Sequence, residues 1–314
     1  MSRWDISDPD RIPNPEPSGP AAHRTKEAEN TASAVGRGGT SESSPEETQR
    51  TPWPERESTR TPADRRQQYT DRRRTYSLRD SELEAVGEIG RFRTVDIQDL
   101  ARFGYHGDQA RMKYDVENLR KQGLIEEKTL FRAHKSARKT VTLTEQGYRL
   151  AVQKSGLPEG QRVYHGFVKL REIEHDADLY KVYQRAAKEI REKGGKVLRV
   201  RLDFELKEAI NRAKEAASRL PEEDRATFLK PVANENGLSI RGSRIHLPDI
   251  QVEYETREGT VQRENLELLS RNYREEGIRG KAAAGFKIYA RAGEANRIRR
   301  ALQDTGLIRE VLSV

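Results

Sequence analysis

Three residues late in the chain have the types and spacing to hold a divalent cation over a phosphate. Asp249 follows Pro248, Glu267 comes 18 residues later, and Lys281 lies beyond both. Phosphodiester chemistry of this kind needs hard oxygen ligands for Mg²⁺ or Mn²⁺, usually one or two carboxylates, with water and phosphate filling the other positions. A lysine beside the phosphate stabilises the charge that builds up in the transition state. A strand hairpin can deliver both acids to one point because side chains alternate between faces. Asp249 shares its face with Gln251 and Glu253, while Asn265 and Glu267 oppose the apolar Leu266 and Leu268. Proline at 248 suits the first position of a strand, where its missing N–H is not needed. The same residues also fit a plainer role, with Asp249 capping a turn and Glu267 on a strand surface.

The run Glu174-His175-Asp176-Ala177-Asp178 is a second constellation. On a helix, His175 and Asp178 share a face. They fit either support of the acid pair, with His175 close to it, or a helix-surface ion-pair cluster. Tyr273 and Tyr289 read as packing residues rather than nucleophiles.

The elements that must carry these residues follow from periodicity. A long helix is expected over about 167–193, ended by Gly194-Gly195. A strand with Leu198, Val200, Leu202 and Phe204 on one face follows, then helical stretches over 207–219 and 221–234. The Pro248 strand and its partner form a hairpin through Arg257-Glu258-Gly259. A helix over about 274–284, a strand over 286–290, a helix over 294–304 and an extended end at 308–312 complete an α, β, hairpin, α, β order.

The preceding stretch reads differently. Leu78, Leu83, Val86 and Ile89 predict a helix, and Val95, Ile97 and Leu100 a short second one capped near Asp96. A third helix is expected from Asp108 to about Gln122, with Gly123 at its end and Met112, Val116 and Leu119 buried. Strands over 124–131 and 140–143 enclose a basic turn that includes His134, and a helix begins at Thr144-Glu145-Gln146-Gly147-Tyr148. Three helices, a β-hairpin and a helix form the winged-helix pattern. Its third helix enters a major groove in proteins that bind DNA this way. Arg111 and Lys113 are the expected phosphate or guanine contacts, with Lys121 on the same face. Arg132, Lys135, Arg138 and Lys139 on the wing are the expected backbone or minor-groove contacts. Each charge equally fits a solvated face, and winged helices also serve as protein-binding modules.

The formal net charge is +8, and all of it belongs to residues 77–314, since residues 1–76 carry 13 basic and 13 acidic residues. That balance favours polyanionic partners, double-stranded DNA first. Residues 1–76 hold nine of the 13 prolines and few aliphatic residues, so a disordered tail is expected there. Its end, with Arg65-Arg66 and Arg72-Arg73-Arg74, is either a solvated linker or an arm that adds phosphate contacts. With no cysteine, disulfides, thiol catalysis and cysteine zinc sites are excluded. No segment approaches the ~18 apolar residues of a membrane span, so a cytoplasmic protein without membrane contact is expected.

The organisation expected is therefore α+β. A disordered tail (1–76) precedes a winged helix-turn-helix domain (77–155), a linker (156–163) and an α/β domain (164–314). The chain resembles the replication-relaxation family of plasmid and mobile-element proteins. The resemblance rests on the winged helix, His175-Asp176 after a linker, Leu247-Pro248-Asp249, Asn265-Leu266-Glu267-Leu268, and Lys281 before Gly285-Phe286-Lys287-Ile288-Tyr289. It covers about three quarters of the chain and implies a restriction-endonuclease-like second domain of the PD-(D/E)XK type. Asp249, Glu267 and Lys281 would take the site positions, with His175 nearby. That motif sets its lysine two residues after the second acid; here Leu269 stands there, and Lys281 would reach the site from the next helix. Roles in replication, DNA relaxation or transfer are implied, with replication or transfer proteins and a second copy as partners. A non-enzymatic regulator whose second domain dimerises or recruits partners is the alternative, and a protein-interaction scaffold a third.

Overall fold

The computed structural model describes residues 65–131, 137–241, 244–269, 273–291, 293–303 and 312–313. Most of the expected tail lies outside these residues, but its last part is ordered. Strands β1 (Gln67–Asp71) and β2 (Arg74–Leu78) pair as an antiparallel hairpin. Leu78, expected in the first helix, ends β2, and α1 (Asp80–Phe92) starts after Arg79, whose N–H donates to Glu82 Oε2 at 2.8 Å.

The short strand β3 (Val95–Asp96) leads into α2 (Ile97–Asp99), where the Asp96 carboxylate accepts from the N–H groups of Gln98 and Asp99. Helix α3 (Gln109–Lys121) is capped by Asp108, and its Met112, Val116 and Leu119 are buried as the periodicity requires. Gly123 turns the chain at φ 71°. Strands β4 (Ile125–Phe131) and β5 (Ala137–Leu143) then form the wing. The sheet order is β3-β5-β4. Thr144 caps α4 (Glu145–Lys154). A Cβ at Gly147 would meet the Leu124 carbonyl oxygen at 2.0 Å, so only glycine lets α4 lie this close to the wing. This is the winged-helix arrangement.

The segment after α4 is pinned rather than loose. The Tyr164 N–H donates to the Gly90 carbonyl at 2.7 Å and the Gly166 N–H to the Leu143 carbonyl at 3.0 Å. The Gln161 side chain brackets Val200, accepting from its N–H and donating to its carbonyl, both at 2.9 Å.

Helix α5 (Leu170–Glu192) packs both on the winged helix and on β6 (Lys196–Leu202), β9 (Ile250–Glu255) and β10 (Val261–Leu269). Contacts on two sides explain why Ala177, Leu179, Tyr180, Val182, Tyr183, Ala186 and Ile190 are all buried. Phe92 of α1 meets Tyr180 and Tyr183 at centroid distances of 5.2 and 4.9 Å, and one hydrophobic core runs through both halves. Strand β6 stops at Leu202, so Asp203 and Glu205 belong to the first turn of α6 (Asp203–Ala217) rather than to the strand. Acids there complement the positive end of the helix dipole. Helix α7 (Glu222–Glu235) and the short pair β7 (Ile240–Arg241) and β8 (Arg244–Ile245) follow. Helix α8 (Glu275–Ala283) connects β10 to the parallel strand β11 (Lys287–Ala290). Helix α9 (Ala295–Gln303) then leads to β12 (Leu312–Ser313).

The sheet order β12-β11-β10-β9-β6 combines the antiparallel set β6, β9 and β10 with the parallel set β10, β11 and β12. The second half therefore carries the expected α, β, hairpin, α, β order, with α6, α7 and the β7–β8 pair between β6 and the hairpin. Among the described residues no helix is long and apolar enough to cross a membrane.

Candidate functional site

The β9–β10 register places the two acids together. Leu266 pairs with Ile250, so Asp249 at the entry to β9 lies beside Glu267. The Asp249 N–H donates to Glu267 Oε2 at 3.2 Å, and the Leu268 N–H donates to Asp249 Oδ2 at 2.9 Å. Lys281 reaches the pair from the last turn of α8, not from its start. Its Nζ lies 3.1 Å from Glu267 Oε1 and donates to the Leu247 carbonyl at 2.5 Å. His175 comes from α5, with Nε2 3.4 Å from Asp249 Oδ2 and Nδ1 3.5 Å from Asp176 Oδ1. Four separate elements thus converge, and the Glu267 side chain has no exposed surface.

Charge is unevenly balanced in this cluster. Burial pushes the Glu267 carboxyl up and the neighbouring Asp249 adds to it. Lys281 and Tyr273 pull the other way, which leaves Glu267 at about 7. Burial opposes ionisation of Asp249 too, yet His175 and Lys281 outweigh it and hold Asp249 at about 2. For His175, burial acts against the imidazolium, but Asp249 and Asp176 prevail and push it up to about 10. Asp249 and His175 form an ion pair, while burial and Asp249 hold Glu267 above the ordinary carboxylate range.

Sequence reasoning set Tyr273 aside, yet its hydroxyl donates to Glu267 Oε1 at 2.8 Å. No spacing rule signals it, because Tyr273 lies beyond the end of β10 at Leu269. Its neighbour in the reading, Tyr289, is buried in β11. His175 and Asp178, expected to act as one cluster, part company. Asp178 accepts from Arg138 at 2.9 Å and Arg291 at 2.8 Å, whereas His175 faces Asp249 and Asp176.

Two conditions bear on a divalent cation. Among the described residues no group of three or more His, Asp or Glu side chains is arranged to hold a metal ion. Asp249 and Glu267 would be the protein's whole contribution, which suits Mg²⁺ or Mn²⁺ completed by water and phosphate oxygens. The raised Glu267 also fits, because burial and the adjacent Asp249 both oppose its ionisation and a cation would relieve both.

On the winged helix the expected contacts divide. Lys113 and Lys121 on α3 and Lys139 on β5 are exposed. Lys121 pairs with Glu117 at 3.5 Å and Lys139 with Glu127 at 3.0 Å. Arg111 is half-buried and donates to the Ser81 hydroxyl at 3.3 Å, so it is drawn back onto α1 rather than presented forward. Arg138 is a correction. It points inward from β5 and is 8% exposed, with Nε 2.6 Å from Asp96 and Nη2 2.9 Å from Asp178 of α5. It ties the wing strand to α2 and α5 and is not available to DNA. Arg132, Lys135 and His134 lie outside the described residues.

No protein-family model matches the chain, and no curated protein sequence matches it. Among solved structures, one of Bacillus subtilis PadR in complex with operator DNA is similar at 13% identity and a TM-score of 0.20. The match covers 49% of this chain and 91% of that one. A likeness that low carries no argument, so the winged helix rests on the element order and sheet order above.

Proposed function

We propose that this chain binds double-stranded DNA through its winged helix and cleaves a phosphodiester bond at Asp249, Glu267 and Lys281. The observation that carries the reading is the convergence of two acids and a lysine, 18 and 14 residues apart in sequence, into one hydrogen-bonded cluster on a restriction-endonuclease-like sheet. Asp249 and Glu267 would hold Mg²⁺ or Mn²⁺, which would supply charge stabilisation at the phosphate. Lys281 then turns its ammonium from Glu267 to the phosphate, His175 orients the Asp249 carboxylate, and Tyr273 orients Glu267. A basic winged helix joined to such a site suits a protein of a plasmid or mobile element acting in replication, DNA relaxation or transfer. A second copy and replication or transfer proteins are the partners this implies.

A non-enzymatic regulator is the second reading. It is favoured by the full burial of Glu267, whose two oxygens are already engaged by Lys281, Tyr273 and the Asp249 N–H. Supercoiled plasmid incubated with the protein and Mg²⁺ or Mn²⁺ separates the two. Nicked or linear product that disappears with Asp249→Ala supports cleavage. Retarded plasmid without product, alike in both proteins, leaves the regulator.

A further inference from the structure

We propose that the β1–β2 hairpin is a second basic wing that grips the phosphate backbone of double-stranded DNA on the side of α3 opposite the β4–β5 wing. This rests on the DNA-binding reading above. The hairpin is fixed against one flank of α3. Gln122 accepts from the Ser77 N–H at 2.9 Å and donates to the Ser77 carbonyl at 3.0 Å. Arg66, just before β1, makes a bidentate pair with buried Glu82 at 3.0 and 3.1 Å. Its guanidinium lies 5.8 Å from the exposed Tyr114 ring, and that of Arg79 lies 4.6 Å from it. Tyr114 of α3 and Gln122 just past its end both face the hairpin segment and so mark that flank of the helix. The wing occupies the other flank, where Glu117 and Arg120 of α3 share a cleft with Glu126, Glu127 and Lys139.

The hairpin tip is anchored and strongly charged. Asp71 is buried and accepts from Arg149 of α4 at 2.8 Å. Arg72, Arg73 and Arg74 then occupy the turn and the start of β2, all three exposed. None of them is ion-paired among the described residues. Arg72 adopts φ 53°, a region where glycine or asparagine is less strained. Three adjacent arginines at a tight turn repel one another, and closely spaced phosphates relieve that repulsion. Flanking α3 on both sides matches a helix in a major groove with one backbone to each side.

The test is anisotropy of a labelled random-sequence duplex with the full chain across a range of NaCl concentrations. The variants are R72A/R73A/R74A, R72K/R73K/R74K and Lys113→Ala. The alanine triple should flatten the slope of log K against log salt by about 2–3 units, at about 0.9 per phosphate contact, and the lysine triple should keep most of it. Thermal melts of all variants separate lost contact from lost folding. An unchanged slope in the alanine triple, with Lys113→Ala flattening it, overturns the second wing and leaves the DNA reading intact. If the wild-type chain binds no duplex, the functional reading falls and this inference with it. Loss of binding to phosphatidylserine vesicles, with duplex binding intact, assigns the arginines to a lipid surface and also overturns it.

Discussion

The two halves use the same charged residue types in opposite ways. On α3 and the wing, Lys113, Lys121 and Lys139 stand in solvent, and the pairs of Lys121 with Glu117 and of Lys139 with Glu127 are surface pairs. Such pairs contribute about 0–1 kcal/mol, so a lysine can exchange its carboxylate for a phosphate at little loss. In the second half, Asp249, Glu267, His175 and Lys281 are largely withdrawn from water, and each holds its place through the others. Removing one partner of a buried pair leaves the other charge uncompensated, at a cost of about 3–5 kcal/mol. Surface charge is therefore free to take a ligand, whereas buried charge is committed until another cation enters. Arg138 and Lys139 show the contrast in adjacent positions of one strand.

That pair gives the largest expected effect. In urea denaturation, Arg138→Ala should lose about 3–5 kcal/mol, because Asp96 is left buried without its cation and Asp178 keeps only Arg291 and Lys181. Lys139→Ala should stay within about 0.5 kcal/mol. Similar small losses at both positions would erase the distinction between buried and surface charge.

Next in size is the pH response of the buried ion pair. The His175 value lies above its ordinary one, so its contribution is fully present below about 6.5 and is lost as pH rises through about 10. The Asp249 value is depressed, so its contribution is present above about 4 and is lost as pH falls toward 2. In EDTA, stability should therefore decline on the alkaline side, by roughly 1–3 kcal/mol once the coupling of the two groups is allowed for. His175→Gln should remove most of that decline. A parallel decline in the variant would show that His175 is not the titrating group.

A smaller change is expected from Tyr273→Phe, which removes one hydrogen bond to Glu267 at about 1 kcal/mol. Because that bond favours the ionised carboxylate, the pH at which Glu267 becomes a ligand should move up, as read from the pH profile of cleavage. An unmoved profile would detach Tyr273 from the site. Finest of all is the salt dependence of DNA binding. Lys113→Ala and Lys121→Ala should each reduce the slope by about 0.9, and Arg111→Ala by less, because Ser81 holds it back. A larger effect from Arg111 would restore it as the leading contact.

Much of this was legible where local rules apply. Strand parity and the proline before Asp249 brought Asp249 and Glu267 to one point. Capping at Asp108 and Thr144 and the Met112, Val116, Leu119 stripe located the helices of the first half. The misreadings share a cause in long-range packing. Arg138 looked like a wing charge because nothing in its neighbourhood announces that α5 docks against β5 and supplies Asp178. Tyr273 lies past the end of β10, where no strand periodicity applies. The β1–β2 hairpin was hidden by the proline-rich composition before it. Its few apolar residues, Tyr76 and Leu78, are buried only because α1 and α3 lie beneath. Asp203 and Glu205 continue the alternation of β6 on paper, but acids also suit a helix start, and the helix prevails.

The most direct measurement is Mn²⁺ binding by electron paramagnetic resonance, with duplex DNA present, for the wild-type chain, Asp249→Ala and Glu267→Gln. The account predicts a bound Mn²⁺ that both substitutions abolish. Its affinity should rise between about pH 6 and pH 8, because Glu267 must release its proton to become a ligand. Equal Mn²⁺ binding in all three proteins, or none in the wild type, would contradict the claim that the buried acids form a metal–phosphate site.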